Sequence, residues 1–184
     1  MEKNEFEKDI FCTPMWSIPG ELPEGAYEWA LEIQKNSPCS RRSNVGGYQS
    51  ESNLDWKDFK YIDHIQKQLS FLPNFQFMNW WVNINKKGDY NQYHTHPNSD
   101  LSVIWYITDN FNTLQFKNPF EHNRIRLYKN INIEKANLVY DCTAGHILVF
   151  PSDLDHCVLP HTEDTLRISV SFNINFPSKA GYIS

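Results

Sequence analysis

The first third of the chain contains two stretches in which apolar residues recur at helical spacing. In "ELPEGAYEWALEIQKN", which follows Pro19-Gly20, these positions are Ala26, Trp29, Ala30 and Ile33. In "LDWKDFKYIDHIQKQLSF" they are Trp56, Phe59, Ile62, Ile65 and Leu69. The pattern predicts two amphipathic helices, the second ending near Pro73, joined by turns in "SPCSRRSNVGGYQSES". A short strand is predicted before the first helix, in "FCTPMWSIP".

After Pro73 the pattern changes to short β-branched and aromatic segments that are separated by Gly, Pro, Asn and Asp. The segments are "FQFMNWWVNIN", "LSVIWYI", "TLQF", "NLVYDC", "HILVF" and "LRISVSFNI". Because no helical pattern alternates with them, they predict antiparallel strands in a sandwich or barrel, with the two helices packed on one outer face. The polar stretch 118–136 is predicted to be a long loop or irregular insert.

The last strand shows strict alternation. In "LRISVSFNINF" the residues Ile168, Val170, Phe172 and Ile174 alternate with the polar residues Arg167, Ser169, Ser171, Asn173 and Asn175. Successive side chains of a strand point to opposite faces, so the polar residues share one face. That face is predicted to contact either solvent or a ligand.

Composition and charge narrow the possible classes of protein. The 184 residues are 40% hydrophobic and 15% aromatic, which predicts one folded domain. The net charge of −5 argues against non-specific nucleic-acid binding, which requires a surplus of Lys and Arg. The charged opening "MEKNEFEKDI" and the absence of a long apolar run predict a cytoplasmic protein without a membrane partner. The four cysteines, Cys12, Cys39, Cys142 and Cys157, form no CxxC pair, so reduced thiols are predicted.

Three histidines form a candidate metal site. If His94 and His96 lie in a strand, both side chains point to the same side and can offer their imidazoles to one cation. His156 follows a strongly apolar strand and the turn at Pro151, and it could supply a third ligand. One isolated histidine is more often structural than a ligand, but an HxH pair followed by a distal His predicts a metal site. No role is assigned to the remaining histidines, His64, His122, His146 and His161.

Two longer strings carry a resemblance to a known family. "GDYNQYHTHPNSDLSVIWYI" and "GHILVFPSDLDHCVLPHTEDTLRISVSFN" resemble iron(II)- and 2-oxoglutarate-dependent oxygenases, in particular small bacterial and phage members with the pattern HxHP, distal H and RxS. The resemblance implies a mainly β fold with N-terminal helices and a double-stranded β-helix core of the jelly-roll, cupin-like type. It implies a single oxygenase domain over 1–184, with helical support over about 1–73, a core over about 74–176, and a cytoplasmic location, in the host if the protein is viral.

The resemblance also implies a set of metal ligands. His94 matches the first histidine of the family's facial triad and His156 matches the distal one. The position between them, usually Asp or Glu, is His96 in this chain, which would leave the iron one unit more positive. Asp100, four residues further on, is the alternative third ligand, although His96 lies in the register that the family uses.

The co-substrate site is implied by a second part of the pattern. The family places a basic residue, often as Arg-x-Ser, about ten positions after the distal His, where it binds the distal carboxylate of 2-oxoglutarate. Arg167 and Ser169 match it, eleven and thirteen residues after His156. Tyr106 stands where prolyl hydroxylases carry a tyrosine that contacts the same carboxylate. Asn83 and Asn85 are weaker candidates for contacts with co-substrate or substrate.

The implied activity is that of a dioxygenase that uses iron(II), 2-oxoglutarate and molecular oxygen, and hydroxylates a small-molecule or peptidyl substrate. Two alternatives stay open: a three-histidine cupin dioxygenase that needs no 2-oxoglutarate, and a non-catalytic jelly-roll module that binds zinc or another ligand. The polar insert, with Arg124 and Arg126, and the loop "RRSNVGGYQS", with Arg41 and Arg42, are candidate walls for an anionic or peptide-like substrate.

Overall fold

The computed structural model describes residues 13–118 and 137–177, and their main elements are eleven β-strands and two α-helices. The helices are α1, Ala26–Asn36, and α2, Ile62–Gln68. The strands are β1 Trp16–Ile18, β2 Asn44–Val45, β3 Tyr48–Gln49, β4 Gln76–Asn85, β5 Tyr90–His94, β6 Leu101–Tyr106, β7 Asn110–Lys117, β8 Asn137–Cys142, β9 Ile147–Pro151, β10 His156–Val158 and β11 Arg167–Asn175.

The strands form two antiparallel sheets. The larger sheet has the order β1-β9-β6-β11-β4-β3, and the smaller one has the order β2-β5-β10-β7-β8. From β4 onward, consecutive strands alternate between the sheets except for the hairpin of β7 and β8, which gives the predicted jelly-roll core. The mainly β fold with N-terminal helices is confirmed. Three short strands from the N-terminal part, β1, β2 and β3, also join the sheets as edge strands.

An aromatic cluster holds the N-terminal segment against the outer face of the larger sheet. The Trp80 ring stacks with Phe59 at 5.0 Å and with Trp29 of α1 at 5.8 Å between ring centroids. Trp80 and Phe59 are almost completely buried. Truncation of such an aromatic side chain to Ala costs about 3–5 kcal/mol of stability, so this contact is a main anchor of the helical segment.

A second apolar cluster contains residues of both sheets and lies next to His156. Its buried members are Ile104, Tyr106, Leu114, Phe116, Cys142, Leu148 and Phe150. Phe150 packs edge-on against His156 with 4.9 Å between ring centroids. The core between the sheets therefore reaches directly to the candidate metal site and gives it a rigid floor.

The second predicted helix differs from the observed structure. A 3₁₀ turn at Trp56–Asp58 comes first, and α2 begins only at Ile62. The break arises because the Asp55 side chain accepts a hydrogen bond from the Lys57 backbone N–H, and Phe59 leaves the helical region at φ −84°, ψ 81°. The apolar residues predicted for the inner face of this helix are still in the core, since Phe59, Ile65 and Leu69 are all buried.

Other differences concern short elements. Strands β2 and β3 lie in the segment predicted to contain only turns, and β10 was not among the predicted strands. These strands have only two or three residues, too few to show a hydrophobic period. Cys39, Cys142 and Cys157 are free thiols, as predicted. Neither helix in the described ranges has the length and apolar composition needed to cross a lipid bilayer. The predicted insert, with Arg124, Arg126 and His122, and Cys12 lie outside the described residues.

Candidate functional site

Two of the candidate ligands are neighbours across a strand pair of the smaller sheet. His94 at the end of β5 lies opposite His156 at the start of β10. Their ring centroids are 4.4 Å apart. The antiparallel register alone therefore brings together two histidines that are far apart in sequence.

His96 reaches the same point by a different route. The prediction that it lies in a strand with His94 is wrong, because β5 ends at His94. The His96 backbone N–H instead donates to the carbonyl of Ser152 at 2.8 Å. Its Nδ1 lies 2.9 Å from Oδ1 of Asn173 and 2.7 Å from Oγ of Ser102. Loop contacts and the larger sheet thus position this ring.

Together the three histidines form a group whose potential ligand atoms all lie within 4.8 Å of one another. In His94, Nδ1 is 2.7 Å from the Gln92 carbonyl, and in His156 it is 2.8 Å from the Leu154 carbonyl. A carbonyl only accepts, so Nδ1 of both rings carries the proton and Nε2 keeps the lone pair that can bind a metal. This is the arrangement of histidines that bind a metal through Nε2. The residues present therefore fit a metal ion.

The local environment keeps these imidazoles neutral. Burial, with a smaller contribution from the neighbouring His94, lowers the pKa of His156 to about 3 and that of His96 to about 4. Burial also lowers the pKa of His94, against the opposing effect of the Gln92 carbonyl. A neutral imidazole is the metal-binding form, so protons do not compete for these three rings at neutral pH.

The alternative ligand, Asp100, lies outside this group. Its side chain is exposed, and Oδ2 accepts a hydrogen bond of 2.7 Å from the Phe176 backbone N–H. Its own backbone N–H donates to Oδ1 of Asn175. Asp100 therefore connects the loop after β5 to the end of β11, while the geometry favours His96 as the third ligand.

Arg167 is buried in the wall of the same cavity. Nη1 donates to the Leu159 carbonyl at 3.1 Å and Nη2 to the Asp89 carbonyl at 3.4 Å. Burial lowers its pKa to about 10, against the opposing effects of Tyr106 and Asp89, so the guanidinium stays charged at neutral pH. No carboxylate within residues 13–118 and 137–177 forms an ion pair with it. A buried cation held only by carbonyls is well suited to bind an anion.

The remaining predicted residues lie in rows across the larger sheet. Ser169 of β11 lies opposite Asn83 of β4 on one side and Tyr106 of β6 on the other. In the next row Arg167 lies opposite Asn85. All five residues line one cavity, and burial raises the pKa of Tyr106 so that its hydroxyl stays protonated. The polar face predicted for the last strand thus faces this cavity.

The cavity has a volume of about 490 Å³ and also contains the three histidines. Arg42, Ser43 and Gln49 line it and belong to the loop "RRSNVGGYQS", which the sequence offered as a candidate substrate wall. Three further lining residues were not predicted as site residues: Asn79, Trp81 and Asn110. Asn79 and Trp81 continue the alternation that marks Asn83 and Asn85 in β4, so the sequence did contain a signal for them. Gln49 and Arg42 carried no such signal, because they lie in a segment without periodicity.

Comparison with known proteins places these features in context. The sequence model of the family described as "Putative 2OG-Fe(II) oxygenase" matches residues 79–173, slightly more than half of the chain. This match includes His94, His96, His156, Arg167 and Ser169. A comparison with curated protein sequences finds no match.

Several solved structures share the fold. HygX from Streptomyces hygroscopicus, with nickel and 2-oxoglutarate bound, has a TM-score of 0.63 at 10% identity, covering 89% of this chain and 83% of HygX. The α-ketoglutarate-dependent epimerase SnoN of nogalamycin biosynthesis has a TM-score of 0.64 at 13% identity, covering 88% and 77%. A prolyl-4-hydroxylase from Pseudomonas putida has a TM-score of 0.56 at 13% identity, covering 90% and 94%. At these identities the likeness concerns the fold.

Proposed function

This chain belongs to the 2OG-Fe(II) oxygenase family and is an enzyme that uses iron(II), 2-oxoglutarate and oxygen, and on that premise we propose that His94, His96 and His156 hold the iron. The observation that carries the proposal is the convergence of three imidazoles within 4.8 Å, two of them with Nδ1 committed to backbone carbonyls. Three protein ligands leave positions open for co-substrate and oxygen.

The chain's own residues have separable tasks in this reaction. Iron(II) supplies the activation of oxygen that is coupled to the decarboxylation of 2-oxoglutarate to succinate. The Gln92 and Leu154 carbonyls fix the tautomers of His94 and His156, and Asn173 orients His96. The rigid aromatic floor at Phe150 excludes water from one side of the cluster.

We assign the co-substrate anchor to Arg167, supported by Ser169 and Tyr106. The guanidinium offers charged donors from a buried position, and two of its N–H groups are held by the Leu159 and Asp89 carbonyls. The distal carboxylate of 2-oxoglutarate supplies the missing counter-charge. The hydroxyls of Ser169 and Tyr106 lie in the neighbouring row of the sheet and add uncharged hydrogen bonds. Asn83 and Asn85 lie beside them on β4 and can contact co-substrate or substrate.

Hydroxylation is the reaction class we propose, with a small-molecule or peptidyl substrate. It is supported by the prolyl-4-hydroxylase that shares this fold and by Tyr106, which lines the cavity as the sequence resemblance implies. The epimerase SnoN among the similar structures shows that the same fold also serves a reaction other than hydroxylation.

A binding and turnover experiment tests the proposal. Purified protein is titrated with iron(II) under nitrogen, then with 2-oxoglutarate, and succinate is measured after oxygen is admitted. We expect one metal ion per chain, metal-dependent binding of 2-oxoglutarate, and succinate in amounts that match the 2-oxoglutarate consumed. Oxygen consumption without any need for 2-oxoglutarate would instead indicate a three-histidine cupin dioxygenase. Tight zinc binding without 2-oxoglutarate binding would indicate a non-catalytic module.

A further inference from the structure

The cavity that holds the three histidines is lined by charged side chains of one sign only. Of its lining residues within the described ranges, none is Asp or Glu, and the two with permanent charge are Arg42 and Arg167. The chain as a whole has a net charge of −5, so this cavity is positive in a protein that is otherwise negative. A low-dielectric cavity lined by one sign of charge attracts ligands of the opposite sign.

Arg42 lies close to the metal cluster although it is exposed. Its neighbour Ser43 accepts a hydrogen bond from the Gln92 backbone N–H at 2.8 Å. The Ser43 hydroxyl accepts one from Nδ2 of Asn91 at 3.1 Å and lies 3.5 Å from Nε2 of His94. Ser43 is therefore fixed beside the metal-facing nitrogen of one ligand, and Arg42, the residue before it, is an exposed residue of the cavity lining.

The guanidinium of Arg42 is available to a ligand. Its backbone N–H donates to Oδ1 of Asn44, which closes a turn and fixes the main chain. In the part of the chain that the structure describes, no carboxylate forms an ion pair with its side chain. Arg41, the preceding residue, is equally exposed but does not line the cavity. The two adjacent arginines thus differ in whether they line the cavity.

We propose that the substrate carries an oxyanion group, a carboxylate or a phosphate, which Arg42 binds at the cavity mouth. The inference rests on the proposed function and extends it to the substrate. A divalent metal and two arginines, set against the two carboxylates of 2-oxoglutarate, leave a surplus of two positive charges. The histidine at position 96 contributes to that surplus, because a carboxylate there would remove one unit. An anionic substrate balances the surplus, and a cationic substrate is repelled.

The rest of the cavity wall suits an uncharged polar portion of that substrate. Gln49 of β3 and Asn83 of β4 lie opposite each other, and within the described ranges the buried carboxamide oxygens of both have no hydrogen-bond partner. Asn79, on the same strand as Asn83, is also uncharged and also lines the cavity. Uncharged carboxamides in the cavity wall favour a ligand portion that is polar but uncharged.

The test measures anion binding separately from turnover. Protein is loaded with manganese(II), which is paramagnetic, and saturated with N-oxalylglycine, an unreactive analogue that occupies the 2-oxoglutarate site. Inorganic phosphate and acetate are then titrated, and the paramagnetic relaxation of their phosphorus and carbon nuclei reports binding near the metal. Methylammonium serves as the cationic probe. The relative affinities of phosphate and acetate distinguish the two kinds of oxyanion.

We expect saturable binding of at least one of the two anions and none of methylammonium. Arg42→Gln weakens anion binding by about fivefold or more, whereas Arg41→Gln changes it by less than about twofold. Both variants keep the affinity for N-oxalylglycine. Absence of anion binding in the wild-type protein, or equal effects of the two substitutions, overturns the inference while leaving the proposed function in place. Failure to bind manganese or N-oxalylglycine contradicts the proposed function itself.

Discussion

Nδ1 of His96 and Oδ1 of Asn173 are 2.9 Å apart, which joins a loop histidine to the central strand β11 of the larger sheet. Asn173 is held in turn, because its Nδ2 donates to Oδ1 of Asn79 at 2.9 Å. Ser102 adds a further hydrogen bond to the same carboxamide oxygen. His96 lies beyond the end of β5, so strand pairing does not position its ring. This network of side-chain hydrogen bonds positions it instead, whereas His94 and His156 are positioned by the pairing of β5 with β10.

Replacement of Asn173 by Ala should therefore lower metal affinity by about 10- to 100-fold, because the His96 ring loses the partner that orients it. The matched control is Asn175→Ala, on the same strand, where the side chain contacts Asp100 and Asn98 instead. Calorimetric titration with iron(II) under nitrogen measures both variants. Equal metal affinities in the two variants would show that Asn173 does not position the ligand.

The identity of the third ligand is tested by a pair of substitutions. His96→Ala removes an imidazole from the cluster and should lower metal affinity by about tenfold or more. Asp100→Asn keeps a side-chain oxygen that can accept from the Phe176 N–H and should leave metal affinity unchanged. Metal content after dialysis against a weak chelator gives the comparison. Loss of metal in Asp100→Asn together with its retention in His96→Ala would reverse the assignment.

Arg167→Gln should weaken binding of 2-oxoglutarate by about tenfold or more, because a charge-assisted pair contributes about 1.5–3 kcal/mol. Metal affinity should be unaffected. The measurement is the dissociation constant of 2-oxoglutarate for the metal-loaded protein, with Arg41→Gln as a control for the loss of an exposed positive charge. Unchanged conversion of 2-oxoglutarate to succinate in Arg167→Gln would show that the anchor lies elsewhere.

The metal-free protein should lose stability as the pH falls below about 6.5. Burial lowers the pKa values of His94, His96 and His156 in the folded state, so the unfolded chain binds more protons between pH 6.5 and the folded values, which are about 4 for His96 and about 3 for His156. The stability they confer is complete above pH 6.5 and is lost on acidification. Each proton contributes at most about 1.4 kcal/mol per pH unit, and less for the partly buried His94 and His96.

Urea unfolding between pH 7 and pH 5 measures this dependence. His156→Asn should reduce the slope of unfolding free energy against pH by about one proton, since His156 is the most buried of the three rings. A slope that is identical in the wild-type protein and in His156→Asn would contradict the assigned pKa shifts.

The sequence predicted the parts of this molecule that follow local rules. Alternation in β11 identified a polar face, and the structure places Arg167, Ser169, Ser171 and Asn173 in the cavity wall. The long strand β4 and helix α1 were equally visible, because each contains enough residues to show a period. The family followed from two longer strings, which hold His94, His96, His156 and Arg167, and the double-stranded β-helix core was implied by that resemblance.

What the sequence could not show depends on contacts between distant segments. The position of His96 outside a strand follows from hydrogen bonds to Ser152 and Asn173, which no local pattern reports. The short strands β2 and β3 exist because β5 and β4 offer them free edges. Arg42 and Gln49 become part of the cavity only through that pairing.

A crystal structure after anaerobic soaking with iron(II) and 2-oxoglutarate would test the metal site and the co-substrate anchor together. We expect one iron ion bound by Nε2 of His94, His96 and His156, with the distal carboxylate of 2-oxoglutarate paired to the Arg167 guanidinium. Iron bound by Asp100 in place of His96, or 2-oxoglutarate bound without contact to Arg167, would contradict this expectation.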